Sequence, residues 1–138
     1  METSDEIRTA LESLIETFGS PAMGKSFLET ISTEPGTLVI GTDPDEWWDD
    51  LDRIKAVMTA QSDELQGMSV KLEHAEGWVE RDVGWGAGKM QIALPGETPV
   101  TTRITAVFTR RPDGWKMAQA HASMGVSNKE ALGKDLTT

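Results

Sequence analysis

Apolar residues change their period near Gly67. Before it they recur at helical spacing: Ile7, Ala10, Leu11, Leu14, Ile15 and Phe18 form one stripe, because residues three and four apart share a helix face. Thr3 or Ser4 can cap this first helix, Glu6 lies three residues after Thr3 as a capping box needs, and Gly19 is a stop. Pro21 opens a shorter second helix with Met23, Phe27 and Ile31 on its inner face. Glu34-Pro35-Gly36 predicts a turn, and residues 37–41 (TLVIG) a short buried strand. Asp43-Pro44-Asp45-Glu46 reads as the start of a third helix, with Asp43 as cap and Pro44 in the first helical position. Trp47, Leu51, Ile54 and Met58 would be its buried side.

From Gly67 onward the period is two. Met68, Val70 and Leu72 alternate with Ser69, Lys71 and Glu73. Residues 78–94 form a second extended stretch, in which Gly84, Gly86 and Gly88 predict a bulge or sharp bend. Residues 100–111 and 115–126 are a third and a fourth strand, and the polar tail is expected to be partly ordered at best. Helices first and strands afterwards predict one α+β domain over residues 1–138, with a core of about 4–128, a tail at 129–138, and the helices on one face of an antiparallel sheet.

Arg111-Pro112-Asp113-Gly114 fits a type I turn with glycine at the left-handed position. That turn sets Arg111 opposite Trp115, Thr105 opposite His121 and Arg103 opposite Ser123. One face then carries Arg103, Thr105, Val107, Gln119, His121 and Ser123; the other carries Ile104, Ala106, Phe108, Ala118, Ala120 and Ala122. The second face is apolar and should meet the helices. Its alanines leave volume, which either long side chains from the helices fill or an apolar ligand occupies.

Composition narrows the function. With 23 acidic against 13 basic residues the net charge is −10, which disfavours a phosphate-backbone partner. Residues 1–66 hold 15 acids and 4 bases (−11), and residues 67–138 hold 8 acids and 9 bases (+1), so the helical half is the acidic one. There is no cysteine, which excludes disulfides, thiolate metal sites and cysteine nucleophiles. Two histidines without clustered spacing argue against a metal, and the acids at 45–52 lack the glycine placement of a calcium loop. No phosphate-cradling glycine loop opens a helix. No cofactor is called for. No apolar run approaches the roughly 20 residues that cross a bilayer, and the acidic amphipathic start is unlike a signal peptide, so a cytoplasmic address is expected.

The order helix, short helix, strand, IGTDPDEWW, then a long sheet ending in RITAVFTRRPDGWKMAQAHASMGV resembles the nuclear transport factor 2-like superfamily. Within it the chain is similar to the SnoaL-like, ketosteroid-isomerase-like branch of small bacterial proteins. The likeness covers about residues 4–128, and rests most on Gly41-Thr42-Asp43-Pro44, on Arg103 with Thr105, and on residues 113–123. It implies a cone: a curved antiparallel sheet wrapped around the helices, a pocket on the concave side, and a homodimer through the convex face. Arg103, Thr105, Gln119, His121 and Ser123 would then form the interface, and Trp48, Trp85, Ile104, Ala106, Phe108, Ala118, Ala120 and Ala122 the pocket.

The same likeness raises two chemistries. Ketosteroid isomerases need a carboxylate base with a tyrosine and a protonated acid at the enolate oxygen. This chain has no tyrosine, Ala106 falls where that family keeps the acid, and Gly41 falls near the base, two residues before Asp43. Polyketide cyclases and dehydratases use an Asp, often with a His, and Asp43 and His121 are the candidates for those roles. Asp43 is completely explained as a helix cap, and His121 and Arg103 as outward-facing residues of an interface. Three functions therefore stand: binding of a small apolar or aromatic molecule without a catalytic set, an acid–base enzyme using Asp43 and His121, or an assembly domain.

Overall fold

Sequence alternation and helical spacing translate into two layers. In the computed structural model, which describes residues 1–138, β1 (Glu2–Thr3) leads into α1 (Asp5–Glu16) and α2 (Met23–Thr30). Then come β2 (Leu38–Ile40), β3 (Trp47–Trp48) and α3 (Leu51–Glu64). Four long strands follow, β4 (Ser69–Glu80), β5 (Val83–Ala93), β6 (Val100–Arg111) and β7 (Gly114–Met124), and α4 (Asn128–Leu132) closes the chain. The strands make one curved sheet in the order β1-β4-β5-β6-β7-β2-β3, with α1, α2 and α3 on its inner face and α4 exposed. The α+β cone expected from the sequence is the fold. One pairing departs from the antiparallel pattern: β2 runs parallel to β7, with Val39 beside Ala120.

Ser4 caps α1, its Oγ accepting from the Ile7 N–H at 3.2 Å. The residue three beyond this cap is Ile7, so the capping box read from Thr3 and Glu6 does not form. Ile7, Leu11, Leu14 and Ile15 are fully or almost fully buried on β4 and β5. The glycines explain how closely α1 lies. A Cβ at Gly77 would collide with the Arg8 backbone nitrogen, and one at Gly84 with Ile7 Cδ1. At Gly86 it would meet Leu11 Cδ2 at 3.1 Å, and at Gly88 Ile15 Cδ1 at 3.2 Å. These residues are therefore the floor of a groove for the helix, not the bend expected of them. The irregularities lie elsewhere, at Leu72/His74 in β4 and beside Val107/Phe108. The stretch 78–94 is likewise not one strand, because Arg81 and Asp82 turn it into the β4–β5 hairpin, with Arg81 at φ 54°.

Asp43 does not start α3. Asp50 does, accepting from the Arg53 N–H at 2.8 Å. Residues 43–46 form the turn between β2 and β3, closed by Gly41 N–H to the Glu46 carbonyl at 2.9 Å and Glu46 N–H to the Asp43 carbonyl at 3.0 Å. Trp47 and Trp48 pair with Ile40 and Val39, so strand alternation separates them: Trp48 is buried and Trp47 is 61% exposed. A helix beginning at Pro44 would have left β2 without this edge partner.

In the last hairpin Thr105 faces His121 and Arg103 faces Ser123, the expected pairs, although the turn itself does not set them. Near the turn the register is one residue off, Arg110 opposite Trp115, and Ala118 is the extra residue that restores it. Met117, wholly buried opposite Phe108, takes the inward position expected for Ala118. The tail is more regular than expected. Ser127 Oγ accepts from the Glu130 N–H at 3.1 Å, and Gly133 at φ 72° ends α4.

Candidate functional site

A cavity of about 310 Å³ lies between the inner face of the sheet and α2, α3 and the β2–β3 turn. Its volume follows from side-chain size. Ala120 and Ala122 line it from β7 and Ile104 from β6, and small residues on a curved sheet leave space beneath the helices. Trp48 closes one side from β3. Five of the seven methionines, Met23, Met58, Met68, Met90 and Met124, complete much of the wall. Unbranched thioether chains adapt to irregular shapes, so this wall is deformable.

The polar groups are few. Glu46 is half-buried, and both its carboxylate oxygens are held. Oε1 accepts from the Asp43 N–H at 2.8 Å, and Oε2 accepts from Gln61 Nε2 at 3.0 Å. Gly41 makes the room: a Cβ there would lie 2.8 Å from Glu46 Cβ and Cδ. Thr102 is 2% exposed in the wall, and its Oγ1 has no hydrogen-bond partner. Glu64 and Gln61 stand on α3 one helical turn apart and also line the cavity.

Of the residues expected in the pocket, Trp48, Ile104, Ala120 and Ala122 line the cavity. Ala106 and Phe108 do not, being packed solid in the core at 1% and 0% exposure. Ala118 is displaced by its bulge. Trp85 is on the opposite side of the sheet, since its neighbours Gly84 and Gly86 are the buried inward residues, and it pairs with Trp78 and Val107. Neither Asp43 nor His121 is a lining residue. Asp43 is exposed, with Oδ1 accepting from the Asp45 N–H at 3.1 Å, a bond that only shapes its own turn. His121 is exposed on the outer face with Arg103, Thr105 and Gln119, and Ser123 there is half-buried. No three acidic or histidine side chains gather as metal ligands would.

The SnoaL-like domain model matches residues 7–127, nearly the whole of the two layers. The chain belongs to the SnoaL-like domain family. Its fold is shared with an uncharacterised cystatin-like protein from Caulobacter vibrioides, at TM-score 0.72 and 13% identity over 93% of each chain. It is also shared with a provisionally named dehydratase of the NTF2-like family from Streptomyces avermitilis, at TM-score 0.74 and 17% identity over 89% of this chain and 96% of that one. A third likeness is a provisionally named calcium/calmodulin-dependent protein kinase type II association domain from Thiobacillus denitrificans, at TM-score 0.67 and 18% identity over 85% and 93%. No curated protein matches the sequence. No helix is long and apolar enough to cross a membrane.

Within this SnoaL-like chain the residues that sequence reasoning missed are Glu46, Gln61, Thr102 and the methionines. Glu46 was visible only as the fourth residue of a cap motif. Its pairing with Gln61, fifteen positions away, needs the β2–β3 turn to fold back on α3. The methionines carried a signal, since seven in one small chain is many, but no periodicity gathers them.

Proposed function

We propose that this SnoaL-like protein binds a small, mainly apolar molecule in the cavity under its sheet and has no evident catalytic set. The observation that carries this is an apolar space of about 310 Å³ with a single carboxylate held at its wall, at the small end of ligand-site volumes. The association domain among the structural likenesses warns that the fold alone does not carry function. Native mass spectrometry of gently purified protein tests the reading. A co-purified mass that denaturation releases is the expected result, and a Trp48→Ala variant should retain less of it. Clean protein that also takes up no apolar probe would sink the idea.

The outer face supports a homodimer. Across β4–β7 it carries the row Trp78, Trp85, Val107 and Gln119, next to Thr105 and His121 and to Arg103 and Ser123. The half-buried aromatic and aliphatic row suits the core of an interface, with Glu76, Lys89 and Arg103 of the neighbouring rows toward a polar rim, and the acidic surplus lies in the other half of the chain. A cytoplasmic address goes with this reading.

A second reading is an acid–base enzyme of the cyclase, dehydratase or isomerase type, with Asp43 and His121 as its candidates. The dehydratase likeness favours it in outline. Glu46 offers that chemistry a better carboxylate than Asp43, which reaches the cavity only through the N–H it donates to Glu46. With a substrate in hand, turnover that survives Glu46→Gln and fails in Asp43→Asn would restore Asp43 to the role.

A further inference from the structure

The charge of the cavity wall selects among apolar ligands. Its lining includes Glu46 and Glu64 and no Lys, Arg or His. Glu46 is not a loose surface acid: Gly41 clears its place, and the Asp43 N–H and Gln61 Nε2 each occupy one of its oxygens. Each carboxylate oxygen can accept a second bond, so a held acceptor remains available. The wall has one unmet polar group, the buried Thr102 hydroxyl, which a purely hydrocarbon ligand would leave without a partner. Arg53 lines the adjoining groove, which shares Glu46, Trp48, Gln61 and Glu64 with the cavity, and its charge tempers the field without entering the cavity.

We propose, resting on the binding reading above, that the cavity takes an apolar amine, whose ammonium group meets the Glu46 carboxylate while its ring or chain lies among the methionines. The physical reason is asymmetry. An ammonium gains a charge-assisted hydrogen bond in a partly dry site, about twice as strong as a neutral one. An anionic ligand meets two glutamates and no compensating cation, and would have to be desolvated as well.

Three compounds on one two-ring scaffold test this by isothermal titration: naphthylmethylamine, naphthylmethanol and naphthoic acid. The amine is expected to bind about tenfold tighter than the alcohol, because both can donate to the carboxylate but only the ammonium also brings a full opposite charge. The acid should bind more weakly than either. Glu46→Gln should abolish the amine's preference over the alcohol, weakening the amine about tenfold and the alcohol by much less. The Gln can still accept from the Asp43 N–H, and Gln61 can turn its amide to match. Raising salt on the unaltered protein should weaken the amine alone, a check that needs no variant. An acid that binds as tightly as the amine, or an amine preference that Glu46→Gln and salt both leave intact, overturns the ligand class and leaves the cavity reading standing. Failure of all three to bind the folded protein overturns both.

Discussion

Gly77→Ala examines how the sheet receives its first helix. A Cβ at this position would collide with the Arg8 backbone nitrogen and lie 2.7 Å from the Ser4 carbonyl oxygen. Both obstacles are backbone, so no rotamer change relieves them. Restoring ordinary contact of 3.4 Å to Ser4 alone requires a shift of 3.4 − 2.7, or roughly 0.7 Å, in the first turn of α1. That shift strains the Ser4 N–H to Gly77 carbonyl bond of 2.8 Å and lifts the fully buried Ile7. A strained hydrogen bond contributes about 1 kcal/mol and overpacking about 1–3 kcal/mol. Removing a strand glycine returns about 0.5–1 kcal/mol. The net loss is about 1–3.5 kcal/mol, or on the order of 10 °C in Tm for a chain of this length. The assay is urea and thermal unfolding of a series. Gly88→Ala presses on two methyl ends, Ile104 Cγ2 and Ile15 Cδ1, both at 3.2 Å, with the His74 carbonyl oxygen in ordinary contact at 3.7 Å, and should stay within about 1 kcal/mol of wild type. Gly125→Ala, with nothing within 4 Å, is the control. Equal stability of Gly77→Ala and Gly88→Ala would refute the groove.

Thr102→Val removes a buried hydroxyl without a partner and should stabilise the ligand-free protein by about 1 kcal/mol in urea unfolding; a loss of that size would mean the hydroxyl is satisfied. Asp50→Ala should destabilise by about 1 kcal/mol through the lost cap of α3. Asp43→Ala, in an exposed turn, should change stability by less than about 0.5 kcal/mol, and the reverse order would move the helix start back to Asp43. Thr105→Arg, on the outer face between β5 and β7, should shift the mass in light scattering from dimer to monomer; a wild type that is already monomeric would remove the interface.

Periodicity is a property of the chain, and so the layers were legible in it. The stripe Ile7, Leu11, Leu14, Ile15 became a buried helix face, and the alternation in β6 and β7 separated Ile104, Ala106 and Ala120 from Arg103, Thr105 and His121. Proline, Asp and Gly at positions 112–114 located the turn of the last hairpin, because turn chemistry is local, while its register beyond Val107 depends on the bulge at Ala118. Two local signals misled. Asp43-Pro44-x-Glu46 satisfies a helix start and a strand turn equally well, and only the unpaired edge of β2, which takes Trp47 and Trp48, decided between them. Gly84, Gly86 and Gly88 promise close approach without saying of what, and the answer was a helix some seventy residues earlier in the chain. The cavity falls on both sides: the alternation already placed Ile104, Ala120 and Ala122 on its wall, whereas what closes over them was not legible. Trp48 and α3 close over those alanines only through the tertiary fold, and the carboxylate is set by a bond between Glu46 and Gln61. Such pairings join residues that share no period and no neighbourhood, so packing alone brings them together.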